Sequence, residues 1–104
     1  MLYVRQCGIL WVMNIEIAQL EWDQFNSNHI REHKVSEKEI LEACRNQIDT
    51  LDSYGRRKML FGKTDEGRYL TIILANTKLN NKYYVVTARD ISRKERKYVQ
   101  TKEK

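Results

Sequence analysis

Two histidines four residues apart, His29 and His33, and three strand-end cations, Lys63, Arg68 and Arg89, are the side chains in this chain whose type and spacing could do chemistry. Residues at i and i+4 of a helix share one face, so the histidine pair could hold a metal. No third ligand stands out beside it and the glutamate of an HExxH motif is absent, so no metal is expected. An imidazole titrates near neutrality and can act as general base or acid in phosphodiester cleavage. The plainer reading, favoured by spacing alone, is a partly buried helical histidine beside Phe25. The cations depend on register. With one turn centred between Asp65 and Glu66, Lys63 opposes Arg68; with the next loop centred between Lys78 and Leu79, Arg68 opposes Arg89. That would set Lys63, Arg68 and Arg89 in one row across three strands, ~5 Å apart, where like charges repel unless an anion lies among them. A phosphate is the natural occupant. Strand-end cations splayed into water are the alternative, and a slip of one residue dissolves the row.

The elements that must position these groups are legible. Residues 14–22 alternate apolar and polar, a short strand. Asp23 caps a first helix over about 24–32, with Phe25, His29, Ile30 and His33 at helical spacing. Ser36 with Glu39 forms a capping box that opens a second helix over about 37–45. Residues 56–63, 68–75 and 82–89 are rich in β-branched and aromatic types and read as strands, joined by a tight turn at 64–67 and a loop at 76–81. Ser92 with Glu95 is a second capping box, opening a basic helix to about residue 101, with 102–104 fraying. The order strand, helix, helix, antiparallel meander, helix predicts an α+β sandwich with its helices on one face of the sheet.

Length and composition narrow the class. The chain has 104 residues, enough for one domain with a modest core. No apolar run reaches the ~18 residues of a membrane span. Cys7 and Cys44 form neither a disulfide framework nor a zinc pattern, so a reducing cytoplasm is the default location. Residues 1–12 are apolar but lack the flanks of a signal peptide; Met13 is either the biological start or preceded by an extra edge strand. The formal net charge is +5, and it is uneven: residues 1–52 carry five basic and nine acidic side chains, residues 53–104 fourteen and five. A basic half points to a polyanionic partner, or to a solubilising surface with a basic tail.

Three blocks then share a pattern. WDQFNSNHIREHKV (22–35) resembles the WDxxNxxHIxxHxV opening of a branch of the BrnT-like toxin family. GKTDEGRYL (62–70) and VVTARDISRKERKY (85–98) are similar to that family's GxTxxGRxL turn and its closing (S/T)ARxxxxxERxY helix, in order and at fitting spacing. The resemblance implies one domain over 13–101 after an N-terminal extension. Its RelE-like fold would pack a small antiparallel sheet against two N-terminal helices, with a basic C-terminal helix. It implies a toxin of a type II toxin–antitoxin pair, a ribonuclease that blocks translation through attack by the RNA's own 2′-hydroxyl, with no metal or cofactor. Its partners would be RNA and a cognate antitoxin, with no membrane; a homodimer could form within the toxin–antitoxin complex. The alternative is a non-catalytic nucleic-acid-binding or protein-interaction module of the same fold. On this resemblance His29, then His33, would transfer protons, and Arg68 and Arg89 would clamp phosphate, since a guanidinium fork binds its oxygens in pairs. Lys63, Arg57, Arg93, Arg96 and Lys97 would add RNA contacts, and Tyr69, Tyr83 or Tyr84 could stack on a base. Two positions depart from the pattern: Lys34 stands where a glycine is usual, and Asn26 where the better-known branch has lysine.

Overall fold

A computed structural model describes residues 15–103; the extension at 1–12 lies outside the described residues. In chain order the elements are β1 (Gln19–Glu21), α1 (Gln24–Glu32), α2 (Glu37–Arg45), β2 (Gln47–Ser53), a 3-10 turn (Tyr54–Arg56), β3 (Arg57–Lys63), β4 (Tyr69–Asn76), β5 (Lys82–Asp90) and α3 (Arg93–Lys102). The strands form one sheet in the order β1-β5-β4-β3-β2, with β1 parallel to β5 and every other pair antiparallel. The sheet is therefore mixed rather than purely antiparallel, because the β1–α1–α2–β2 connection crosses from one edge to the other.

Strand alternation assigns the two faces. Leu60, Leu70, Ile72, Leu74, Val85 and Ala88 point to one side and pack with Ile30, Val35, Ile40, Ala43 and Cys44 of the α1–α2 hairpin. Ile40, Leu60 and Ile72 are fully buried there, and burying a side chain of this size stabilises by about 1.5–3 kcal/mol each. Burial also pushes the Cys44 thiol up to about 12, which leaves it an inert core group. Gly62 of β3 lies directly under α2: a Cβ at this position would stand 2.1 Å from the Ala43 carbonyl oxygen. Only glycine permits that approach.

Phe61, Thr71 and Arg89 form one register row that points the other way. This is the side on which α3 packs, through Tyr98 against Phe61 and Glu95 against Thr71. The helices thus cover both faces, not one. A helix as short and polar as α3 is fixed by a few side-chain contacts, and its amphipathic pattern does not say which face of a sheet receives it.

All three caps form as their residues predict. Asp23 accepts from the Asn26 N–H, Ser36 from Glu39 and Ser92 from Glu95, each with the reciprocal bond of a capping box. α1 ends in a Schellman motif: the Lys34 N–H donates to the Arg31 carbonyl and the Val35 N–H to that of Ile30. Lys34 adopts φ 60°, the left-handed conformation that a glycine supplies most easily, which is the physical content of the glycine usual in the resembled motif. Asn26 is buried; its side chain accepts from the Asp23 N–H at 2.9 Å and donates to the Glu21 carbonyl at 3.0 Å. A lysine could not make both bonds.

Candidate nucleic-acid interface

Two carboxylates organise the α3 face. Glu95 closes the Ser92 capping box and also accepts both ends of the Arg89 guanidinium, at 2.8 Å each, and the Thr71 hydroxyl at 2.8 Å. The bonds from Arg89, against the opposing effect of burial, hold the Glu95 carboxyl at about 2. It is a permanent anion near neutrality and has no proton to give. Arg89 is in turn held by it, so this pair fastens the start of α3 to the centre of the sheet.

Two residues along β4 from Thr71, Tyr69 has two cations against its ring. The Arg96 guanidinium carbon lies 3.8 Å from the centroid of its ring and the Lys63 ammonium 5.4 Å, distances at which the ring's negative face attracts cations. The Tyr69 hydroxyl donates to the Glu103 carboxylate, whose oxygens are 2.9 and 2.8 Å away. Lys63 reaches the same carboxylate at 4.0 Å. Arg96 has no carboxylate partner among the described residues, and its buried Nε finds no acceptor. Next to this group the Tyr98 hydroxyl donates to Asp49, a bond that together with burial pushes the phenol up to about 12. Arg93, Lys94 and Lys97 project outward from α3, exposed and without carboxylate partners among the described residues. Beyond α3 the same face continues as the row Leu51, Met59, Ile73 and Thr87, half-buried or exposed, with Leu51 38% accessible.

The expected row of Lys63, Arg68 and Arg89 does not form. Thr64 and Arg68 pair, with the Thr64 N–H donating to the Arg68 carbonyl at 2.8 Å, so the turn holds three residues, closed by Gly67 at φ 96°. Three-residue hairpin loops of this kind are common, with glycine in the left-handed position. Centring the turn on Glu66 sets Lys63 opposite Tyr69; the second loop centres between Leu79 and Asn80, and an irregularity between Ile73 and Leu74 adds one residue more, which together set Arg89 opposite Thr71. A shift of one residue turns a side chain to the other face. Arg68 accordingly points to the α1–α2 side, where it bonds Asp90 at 2.7 Å, Glu39 at 2.9 and 3.0 Å and the Lys34 carbonyl at 3.0 Å. The Arg68–Asp90 bond contributes most to raising Arg68 and lowering Asp90 from their usual values; for Glu39 burial is the largest single influence and raises it, but the bonds from Ser36 and Arg68 together leave it lowered. Arg68 is thereby a tie between the α1–α2 connection and the end of β5.

His29 lies on α1 and His33 is its C-cap, their rings edge-on at 5.3 Å, with His29 Nδ1 3.8 Å from Glu32. His29 lines a shallow hollow with Asp23, Gln24, Phe25, Asn28 and Glu32. The sheet separates it from Arg89, so the expected trio of His29, Arg68 and Arg89 is not brought together. Arg57 is exposed on the α3 face, six residues along β3 from Lys63. The sequence places Lys63, Arg96 and Tyr69 as separate candidates; the fold joins them. Nothing local in the sequence points to Glu103, and the S-x-x-E pattern ties Glu95 to the start of α3 without showing its bond to Arg89.

Among the described residues no group of three or more His, Cys, Asp or Glu could hold a metal ion, and no helix is long and apolar enough to cross a membrane. Fold and site define the class only as a small α+β domain with a cationic, tyrosine-containing face. Comparison with family models, curated proteins and solved structures finds no match to the chain.

Proposed function

We propose that this protein is the toxin of a type II toxin–antitoxin pair, a BrnT-like ribonuclease of RelE-like fold that binds and cuts RNA with the α3 face. The observation that carries the reading is the convergence of Lys63, Tyr69 and Arg96 beside the exposed cations Arg93, Lys94 and Lys97 of α3. Cleavage through the RNA's own 2′-hydroxyl requires the backbone to be bent in line, charge on the phosphate to be stabilised and protons to be moved. Lys63 and Arg96 supply the positive charge, and the hydroxyl of the Tyr69 ring that both approach is the proton-handling group in place of His29. Arg89 acts through Glu95 as a positioning residue. Arg93, Lys94 and Lys97 draw the polyanion in, and the apolar row beyond α3 accepts bases. A cognate antitoxin would cover this face with acidic side chains, since complementary charge steers association.

A second reading, a non-catalytic RNA-binding member of the same fold, is favoured by one specific observation: Arg68 and Arg89 are both occupied by carboxylates. Incubating the purified protein with single-stranded RNA, together with growth arrest on induction, separates the two. Cleavage that falls about 100-fold in Lys63→Ala and Arg96→Ala, as loss of a transition-state charge contact does, supports the toxin. Salt-sensitive binding without cleavage or arrest supports the second reading. Absence of RNA binding at low salt removes both.

A further inference from the structure

The Glu103 carboxylate occupies an unusual place. It is the last residue described, one past the end of α3, and it turns back to accept the Tyr69 hydroxyl with both oxygens, 4.0 Å from the Lys63 ammonium. The third member of the group, Arg96, lies against the same ring and has no carboxylate partner among the described residues. One cation and a hydroxyl meet the carboxylate while a second cation lies against the same ring, so the group is net positive and holds one anion where a more highly coordinated one would fit. A phosphodiester offers two non-bridging oxygens carrying a full charge, at a spacing close to that of a carboxylate, and accepts the same donors.

We infer that Glu103 marks the seat of an RNA phosphate: Tyr69, Lys63 and Arg96 form an anion site that a phosphodiester takes when Glu103 swings out. The inference rests on the RNA-binding reading above and adds to it the phosphate seat and its built-in competitor. Glu103 follows the helix and its side chain is 29% accessible, so its release breaks the Tyr69 and Lys63 contacts and leaves the Arg89–Glu95 anchor of α3 in place. A free chain therefore competes with its own substrate, and a ligand must outbid an intramolecular carboxylate before it is held.

The test uses the full chain with single-stranded RNA and, separately, inorganic phosphate. Glu103→Gln should tighten RNA binding about threefold or more, the scale of one partly exposed ion pair. Glu66→Gln, which removes the same charge from the exposed turn, should change it by much less. Tyr69→Phe, which keeps the ring but removes the donor, should weaken RNA binding in the Glu103→Gln background. Backbone amide NMR with inorganic phosphate should show shifts at Lys63, Tyr69 and Arg96 in Glu103→Gln at concentrations that leave the parent unchanged. Equal effects of Glu103→Gln and Glu66→Gln on RNA, or no phosphate shifts at these three residues in Glu103→Gln, would overturn the seat. If the parent fails to bind RNA yet phosphate shifts appear in Glu103→Gln, the seat stands as an anion site and the RNA reading fails. Circular dichroism melts of each variant establish that the compared proteins are folded.

Discussion

The two faces of the sheet are built from the same strands and do opposite things. Toward α1 and α2 the strands offer Leu60, Leu70, Ile72, Leu74 and Val85, all fully buried, and the helices answer with Ile30, Ile40 and Ala43. Toward α3 they offer Lys63, Tyr69, Thr71 and Arg89, and the helix answers with Glu95, Arg96 and Tyr98. The first face is held by apolar area, which is non-directional and worth most when complete. The second is held by charge-assisted bonds around a few fixed points, leaving cations unspent for a partner. One side supplies the stability that lets the other remain polar.

That contrast can be broken from the apolar side with the largest effect. Gly62→Ala should lower stability by about 2–3 kcal/mol or more, since the added methyl meets the Ala43 backbone, which cannot swing aside as a side chain could. Urea unfolding measures it, and an unchanged midpoint would mean that α2 does not approach β3 this closely. Next in size is Arg68→Ala, expected to cost about 1–2 kcal/mol because Glu39, Asp90 and the Lys34 carbonyl lose their shared donor. RNA binding per folded molecule should stay close to that of the parent; a large loss of RNA affinity at full stability would return Arg68 to the binding surface.

Acid should loosen the α3 face. Glu95 is depressed from 4.5 to about 2 in the folded chain. A carboxyl depressed by folding contributes its stability above its unfolded value, and that contribution is lost as pH falls through the folded one. Melting temperature should therefore drop between about pH 4.5 and 2, and Glu95→Gln should flatten that part of the profile while lowering the plateau at neutral pH. A profile as steep in Glu95→Gln as in the parent would assign the acid sensitivity elsewhere. A smaller change of opposite sign is expected at Lys34→Gly, a gain of about 0.5–1 kcal/mol from relief of a left-handed side-chain-bearing residue; a loss would show that the Lys34 side chain makes a compensating contact. Smallest of all, Lys94→Ala and Lys97→Ala should leave stability within about 0.5 kcal/mol, yet each should reduce the salt slope of RNA binding by about 0.7. Unchanged slopes would detach the basic helix from the interface.

Much of this was readable in the residues themselves. Asp23, Ser36 and Ser92 announced the three helix starts, because an N-cap is a local bond within four residues. The β-branched runs marked β3, β4 and β5 for a similar reason. β2 carries no such signal: Asp49 and Asp52 break its apolar pattern, and it is an edge strand whose existence depends on pairing with β3. The histidine and arginine candidates were visible as types, but their assembly was not.

What the sequence determined by itself is whatever is decided within a few residues: the caps, the strand identities, Gly67 as a turn glycine and the concentration of positive charge in the second half. What only the tertiary structure decided is which side of the sheet each group occupies. That choice turns on a three-residue rather than an even-numbered turn and on one irregularity in β5. Because side chains alternate with a period of two, a single residue of register sends Arg68 to the core side and leaves Lys63 facing Tyr69. The pairing with Arg96 and Glu103 then arises only when α3 packs across strands more than twenty residues away in the chain.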